Sequence, residues 1–356
     1  MDVIIPVHTP DRQIERAVSS LESSGLEIGE NAECRITVVC HNTAVDPIRR
    51  KIEASSGAHV RFLHLEDGNK SPAGPFNLGF SSSTASWVMI MGSDDTLEAD
   101  ALRRWLFEAE STNTDVLIAP EAHFGGASIH TPVVRWSRRK HLDPVSDRLA
   151  YRTAPLGLIR RELIEELDLR FPMNMANGSD QAVSARLWFS NLSITYGRGL
   201  PRYLVHDDAT ERVTFTLKDL EADLLFVTEL MKDPWFHKLS GRSRHAIVTK
   251  LIRVHLFSHV GMRAASGAWD RRQATQAETV LQTLLSAAPR ALKPLSIADR
   301  TLVDAIASGL ADPTAMAELC AARRRFKQPR TWAPRDVRYI LHREAPPRFM
   351  VASALV

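Results

Sequence analysis

Short apolar runs alternate with amphipathic segments along the first third of the chain. Runs with the apolar character of buried strands occur at 3–7, 35–40, 60–65, 87–91 and 115–119. Segments that favour helices lie between or after them, at 12–24, 47–54, 78–85 and 97–111. Strands and helices that alternate in this way predict an α/β fold, in which helices cover both faces of a mostly parallel sheet.

The pattern changes near residue 215, after which strand-like runs become scarce. Helices are predicted at 217–232, 241–262, 271–288 and 297–311. We therefore predict three parts, namely an α/β domain over 1–215, a helical region over 216–322 and a tail over 323–356.

Composition narrows the class of protein. The 356 residues are 44% hydrophobic and 24% charged, which is typical of globular chains with about two structural units. The net charge of +3 is too balanced for a protein that coats nucleic acid, so we expect no nucleic-acid partner. Cys34, Cys40 and Cys320 have neither disulfide-framework nor metal-site spacing, which indicates a reducing cytoplasm. No run reaches the ~18 apolar residues of a membrane span, and the opening run is too short for a signal peptide.

The basic residues concentrate near the end of the chain. Residues 321–348 contain nine Lys or Arg against Asp336 and Glu344, a net charge of +7. Aromatic and apolar residues such as Trp332 and Ile340 are interspersed among them. One interpretation is a packed terminal segment with charged edges. The other is a patch that contacts anionic lipid, at the inner face of a membrane, or a polyanionic acceptor.

An acidic pair, Asp94-Asp95, directly follows the apolar run at 87–91. In open parallel sheets, ligands bind beyond the carboxyl ends of the strands. Adjacent carboxylates repel each other, and a divalent cation such as Mg²⁺ or Mn²⁺ would neutralise them. The alternative is that one of the two caps a helix that begins at Leu97.

The order of these signals resembles the family 2 glycosyltransferases, which have the GT-A fold, use nucleotide sugars and invert the anomeric centre. The resemblance covers residues 2–215. It is carried by Val3-Ile4-Ile5-Pro6-Val7-His8, Ser19-Ser20-Leu21, Ile36-Thr37-Val38-Val39, Asn77-Leu78-Gly79 and Ser93-Asp94-Asp95 with Leu97 and Ala101-Leu102.

The resemblance implies a set of binding residues. Asp95 is the implied metal ligand for Mn²⁺ or Mg²⁺, and His206, after the run Tyr203-Leu204-Val205, is expected at the metal or the diphosphate. The remaining implied contacts are to the nucleotide sugar, from Pro6, His8, His41, Lys70, Asn77 and Asp94.

Asp180 is the candidate catalytic base, in the segment Asn177-Gly178-Ser179-Asp180-Gln181. This segment resembles the acidic signature of the family, in which an Asp removes the proton of the acceptor hydroxyl. A helix is predicted directly after it, at 182–189, so the alternative is that Asp180 or Ser179 is only its N-cap.

Together these features predict a metal-dependent, inverting transfer from a nucleotide-diphosphate sugar, with UDP favoured. The acceptor is expected to be a hydroxyl of a bacterial cell-wall or surface glycan, lipid-linked or teichoic-acid-like. Three residues depart from the family pattern, Cys40, Phe76 and Gly92. They support the alternative of a non-catalytic protein that binds glycans or polyanions on a degenerate transferase fold.

Overall fold

The computed structural model of the chain describes residues 1–175, 177–208, 218–326 and 328–355. Its strands are β1 Asp2–Val7, β2 Arg35–His41, β3 Val60–Leu65, β4 Trp87–Ile90, β5 Thr96–Leu97, β6 Val116–Ile118, β7 Glu121–His123, β8 Ser128–Ile129, β9 Gly157–Arg160, β10 Ile194–Tyr196 and β11 Tyr203–Val205. The helices of the first half are α1 Ile14–Glu22, α2 Val45–Glu53, α3 Ala73–Ser81, α4 Ala101–Ser111, α5 Glu162–Glu166 and α6 Ser179–Phe189. Those of the second half are α7 Leu220–Asp223, α8 Leu225–Lys232, α9 Pro234–Lys238, α10 Gly241–Lys250, α11 Phe257–Ala265, α12 Arg271–Ala287, α13 Ile297–Ala307, α14 Pro313–Ala322, α15 Pro329–Trp332 and α16 Pro346–Ala354.

The main sheet has seven strands in the order β10-β6-β9-β4-β1-β2-β3. Strand β9 runs antiparallel to both of its neighbours, and the remaining pairs are parallel. The prediction of a mostly parallel sheet flanked by helices is therefore confirmed, although β9 was not predicted. A second, small sheet has the order β5-β11-β7-β8 and lies beyond the end of β4.

Close packing of α3 on the sheet explains Gly79, one of the residues that carry the family resemblance. A Cβ atom at Gly79 would lie 2.3 Å from the Ile4 side chain in β1, so a larger residue would push the helix away. The helix begins at Ala73, five residues before the predicted start. The segment 67–77, predicted as a loop, therefore ends in helix.

Helix α4 also differs from its prediction. It begins at Ala101, because Thr96 and Leu97 pair with β11 in the small sheet. Asp100 precedes the helix with a left-handed φ of 59° and makes no side-chain capping bond.

The helical region shares its core with the sheet. Ile4 of β1 and Leu284 of α12 belong to the same continuous cluster of buried side chains. The predicted helix at 241–262 contains a π-helical segment, Leu251–Leu256, between α10 and α11. The predicted boundary at 215 falls within 209–217, outside the described residues. Within the parts of the chain that are described, no helix is both long and apolar enough to cross a membrane.

Candidate active site

The acidic pair, Asp94 and Asp95, lies where β4 passes into the small sheet. Asp95 accepts a hydrogen bond from the Tyr203 hydroxyl at 2.6 Å and another from the backbone N–H of His206 at 3.1 Å. The Tyr203 hydroxyl in turn accepts from the backbone N–H of Gly92 at 2.9 Å. Strand β11 thus holds the Asp95 carboxylate in place. The capping alternative is wrong, because no helix begins at Leu97.

Two arginines neutralise this region, and sequence analysis did not identify them. The Arg12 guanidinium contacts the Asp94 carboxylate at 2.7 Å. Arg16 donates to the backbone carbonyl of Asp94 at 2.6 Å and forms an ion pair with the exposed Asp208 at 2.7 Å. Arg12 lies just before α1 and Arg16 in its first turn, and both meet Asp94 only through the fold, so no local pattern in the sequence marks them.

Burial shifts the pKa values of Asp95 and His206. Burial raises the pKa of Asp95, and the negative charge of the nearby Asp94 acts in the same direction. The hydrogen bonds from Tyr203 and His206 lower this pKa, but by less. Burial also lowers the pKa of His206, and the positive charge of Arg16 acts in the same direction. The His206 ring stacks on Phe124 with centroids 4.3 Å apart.

The acidic pair has the chemistry of a divalent-cation site that needs a substrate to complete it. Carboxylate oxygens suit Mg²⁺ and Mn²⁺, and Mg²⁺ is commonly held by one or two carboxylates together with substrate phosphates. No group of three His, Cys, Asp or Glu side chains with a metal-binding arrangement occurs among the described residues. Nε2 of His206 lies 2.9 Å from the Thr96 hydroxyl, so a cation at that atom would displace this contact.

A second polar cluster lies at the end of β2. His41 is 4% exposed, and its Nε2 lies 2.8 Å from the Asp67 carboxylate. Burial tends to raise the pKa of Asp67, but hydrogen bonds from His41 and Asn69 outweigh it and lower the pKa to about 2. The Asn42 side chain accepts from the backbone N–H groups of Asp67 and Gly68 at 3.1 Å. Asp67 thus places a carboxylate beside the end of β2.

The other predicted nucleotide-sugar residues are placed differently. Pro6 and His8 lie at the carboxyl end of β1, and Lys70 is exposed in the loop before α3. The side-chain amide of Asn77 is occupied by hydrogen bonds within the protein. It donates to the Phe171 carbonyl and accepts from the Phe171 N–H, both at 2.8 Å. Asn77 is therefore a structural tether between α3 and residue 171.

Asp180 lies in the first turn of α6. The N-cap residue is Gly178, with a φ of +71°, and it makes no side-chain capping bond. The interpretation that Asp180 or Ser179 is the N-cap is therefore wrong. A Cβ atom at Gly178 would lie 2.5 Å from the Phe226 ring, so only glycine fits this turn. Burial raises the pKa of Asp180 to about 6, against the opposing effect of Lys250.

Buried polar groups from the helical region extend behind Asp180. The Lys250 ammonium donates to the Gln181 side-chain oxygen at 2.5 Å and lies 2.8 Å from Nε2 of His255. Hydrogen bonding from Gln181 also acts on the Asp180 carboxylate, so the amide joins the two groups. Lys250 is 1% exposed, and burial lowers its pKa to about 7. The helical region thus contributes directly to the environment of the candidate base.

The turn before α6 is fixed by a buried ion pair. Asn177 donates to the Asp223 carboxylate at 3.1 Å, and Asp223 also pairs with the Arg263 guanidinium. Asp223 and Arg263 are 3% and 1% exposed, so neither charge is solvated. Along the helix, Arg186 pairs with Asp233 at 2.5 Å. The helical region therefore holds α6 at both of its ends.

A buried ion pair lies between the small sheet and the segment that packs on α6. The Arg152 guanidinium pairs with Glu121 in β7, a strand that is bonded to β11. Arg152 also lines a small cavity with Gln181 and Lys250. The backbone carbonyl of Arg152 accepts from the Trp188 indole N–H at 2.9 Å, which attaches α6 to this segment. Arg152 therefore contacts both the small sheet, through Glu121, and α6, through Trp188.

We expect Arg263→Leu to lower the free energy of unfolding by about 3–5 kcal/mol, because it leaves the buried Asp223 charge without its partner. Arg272→Leu is the matched control, since Arg272 pairs with Asp219 where both side chains are largely exposed, at 66% and 42%. That loss should be about 0–1 kcal/mol. Urea unfolding of both variants measures the difference, and equal effects would contradict the assignment.

Residues 2–168 match the model of the family described as Glycosyl transferase family 2. The chain is 18% identical over 188 residues to the poly(ribitol-phosphate) beta-N-acetylglucosaminyltransferase TarS of Staphylococcus aureus, covering 53% of this chain and 32% of that protein. It is 20% identical over 266 residues to the corresponding enzyme TarP of the same species, covering 71% and 79%. The chain spans about a third of the length of the curated relatives that it matches first.

The crystal structure of S. aureus TarS 1–349 in complex with UDP-GlcNAc has a similar fold, with a TM-score of 0.74, 16% identity and 91% of each chain covered. That likeness extends through the helical region as well as the sheet. Over residues 2–168, this chain is similar in sequence to glycosyl transferase family 2.

Proposed function

We propose that the protein is an inverting glycosyltransferase that moves a sugar from a UDP-sugar donor to a hydroxyl of a bacterial surface or cell-wall polymer. One observation carries the proposal. In a chain whose residues 2–168 match a glycosyltransferase family, Tyr203 and His206 hold the Asp95 carboxylate after β4, and Asp180 is buried at the start of α6 against the helical region.

The nucleotide half of the donor is assigned to the carboxyl ends of β1 and β2. His41 and Asp67 offer hydrogen-bonding groups for a base, and Asp94 is assigned to the ribose. Pro6, His8 and Lys70 remain predicted contacts. The preference for UDP is supported by the similar TarS structure, whose complex contains UDP-GlcNAc.

Asp95 is the proposed ligand of Mn²⁺ or Mg²⁺, with His206 beside it. When bound, such a cation stabilises the negative charge that develops on the departing diphosphate. The Tyr203 hydroxyl and the backbone N–H of His206 orient the Asp95 carboxylate. Arg12 and Arg16 add positive charge at the same end of the site.

Asp180 is the proposed base. A sugar or polyol hydroxyl is a weak nucleophile, and a carboxylate within hydrogen-bond reach takes its proton as the oxygen attacks the anomeric carbon. Attack from the face opposite the diphosphate inverts the configuration. A pKa of about 6 leaves Asp180 ionised at neutral pH and basic enough to accept the proton.

The acceptor class is proposed from the relatives. TarS and TarP are named as poly(ribitol-phosphate) transferases, so a teichoic-acid-like polyol phosphate is the first acceptor to test. The test incubates the protein and Mn²⁺ with UDP-, GDP- or dTDP-sugars and a poly(ribitol-phosphate) acceptor, and measures nucleotide release. Donor-specific release that the acceptor increases supports the transferase. Binding of the polymer without turnover of any donor supports the non-catalytic alternative.

We expect Asp95→Asn to abolish the Mn²⁺-dependent part of UDP binding in calorimetric titration. The single amide oxygen can accept from only one of Tyr203 and His206, because these donors meet different carboxylate oxygens, so a small fall in the melting temperature is expected and binding is measured well below it. Asp207→Asn is the control, because Asp207 is exposed and pairs with His123. Binding that depends equally on Mn²⁺ in both variants would remove Asp95 from the proposed cation site.

Asp180→Asn should lower the rate of transfer by ~10²-fold or more while donor affinity stays nearly intact, because an amide cannot accept the proton. Asp168→Asn makes the same change at an exposed position. Near-normal turnover by the Asp180 variant would rule out its role as the base.

The rate of transfer should fall as the pH decreases through about 6, where the Asp180 carboxylate becomes protonated. Lys250→Met removes a positive charge that favours the ionised carboxylate, so the pKa of Asp180 should rise and the fall in rate should begin at higher pH. Lys232→Met, at a position 69% exposed, should leave the pH–rate curve unchanged. A curve for Lys250→Met that coincides with the wild type would contradict the coupling.

A further inference from the structure

A groove lies between residues 134–148 and the last helix, α16, and it is separate from the network around Asp180. Its volume is about 380 Å³. Four arginines line it, Arg135, Arg148, Arg343 and Arg348. Three of them carry no acidic partner among the described residues, so the groove concentrates positive charge.

The groove is a fixed part of the fold, because the tail packs against both halves of the protein. Glu344 is 3% exposed and forms an ion pair with Arg253 at 3.1 Å. The Tyr151 hydroxyl donates to the same carboxylate at 2.7 Å. Arg148 donates to the backbone carbonyl of Arg343 at 2.7 Å. These contacts fix the tail segment that forms one wall of the groove against the rest of the protein.

The arginines of the groove are poorly neutralised. Arg135 pairs with Asp147 at 2.7 Å, but Arg148 donates only to backbone carbonyls and its buried Nε has no hydrogen-bond partner. Arg348 donates to the Leu341 carbonyl at 2.9 Å. Burial lowers the pKa of Arg343 to about 10, and the positive charges of Arg148, Arg348 and Arg135 act in the same direction. Like charges gathered in this way favour an anion that bridges them.

Large apolar side chains are exposed around the same groove. Trp136, Leu341, Val351 and Leu355 line it and are between 54% and 73% exposed. Of the twelve large apolar side chains that are exposed in the described chain, seven fall within 326–355. A hydrophilic polyanion would leave these side chains in water, whereas a lipid surface would cover them.

We propose that this groove and its apolar rim dock on an anionic phospholipid membrane. A lipid phosphate lies between Arg343 and Arg348, and the rim side chains enter the boundary between headgroups and acyl chains. Guanidinium groups bind phosphate oxygens in pairs, and aromatic residues such as Trp136 favour this interfacial depth. The proposal is independent of the transferase chemistry, since none of these residues contributes to the site around Asp95 and Asp180.

The first test is cosedimentation of the full chain with vesicles of phosphatidylglycerol and phosphatidylcholine in equal parts, against pure phosphatidylcholine. The double variant Arg343→Gln/Arg348→Gln should bind the anionic vesicles roughly 10- to 30-fold more weakly. Arg324→Gln/Arg330→Gln removes the same charge from exposed tail positions outside the groove and should retain most of the binding. Equal losses in the two double variants, or no preference of the wild type for anionic vesicles, would overturn the proposal.

The second test separates lipid from other occupants. Leu341→Ser/Val351→Ser should weaken vesicle binding about tenfold or more, because the rim no longer enters the lipid. Phe107→Ser changes a side chain of similar exposure, 73%, on α4 and should have no effect. If the rim variant binds vesicles normally while soluble inorganic polyphosphate binds the wild type through Arg343 and Arg348, the partner is a polyanion and the lipid proposal fails. If the rim variant instead turns a dimer into a monomer in light scattering, the face is an interface between copies and the proposal fails.

Discussion

The position of the candidate base depends on a buried ion pair that lies outside the domain that carries the base. Asp223 and Arg263 belong to the helical region, and Asn177 is bonded to that pair from the turn before α6. Neither charge has access to water, so each is tolerated only while the other is present. The turn can then take only the shape that this pair and the Phe226 ring allow. This explains why a glycine with positive φ stands at the start of the helix.

The two ends of the site hold carboxylates in different ways, and the difference suits different tasks. Asp95 is oriented by two donors from β11, an arrangement that fixes the direction of its lone pairs. Asp180 is set against Gln181 and a buried lysine, and burial raises its pKa to about 6. In the proposed reaction, the first arrangement suits a carboxylate that holds a cation, and the second suits one that accepts a proton.

The sequence alone predicts the parts of this structure that depend on local pattern. Four of the five apolar runs are strands that are almost wholly buried, and burial on both faces leaves a plain signature in the chain, whereas β3 at the edge of the sheet is only partly buried. The acidic pair was found because it directly follows one of them. Arg12, Asp67 and Lys250 were not found, because their role arises from contacts across the fold that no local spacing records. The start of α4 was misplaced for the same reason, since pairing with β11 overrode the helical pattern at Leu97.

The helical region contacts both α6 and the tail. It supplies Lys250, Asp223 and Asp233 to α6, and it also holds the tail through the contact of Arg253 with Glu344. The packed and the partner-binding interpretations of the tail are therefore compatible, because its inner side makes the buried contacts while its outer side exposes arginines and apolar residues. The α6 turn and the tail are thus both attached to the helical region. Contact with a membrane there would fix the orientation of the active site toward an acceptor without any change in the site itself.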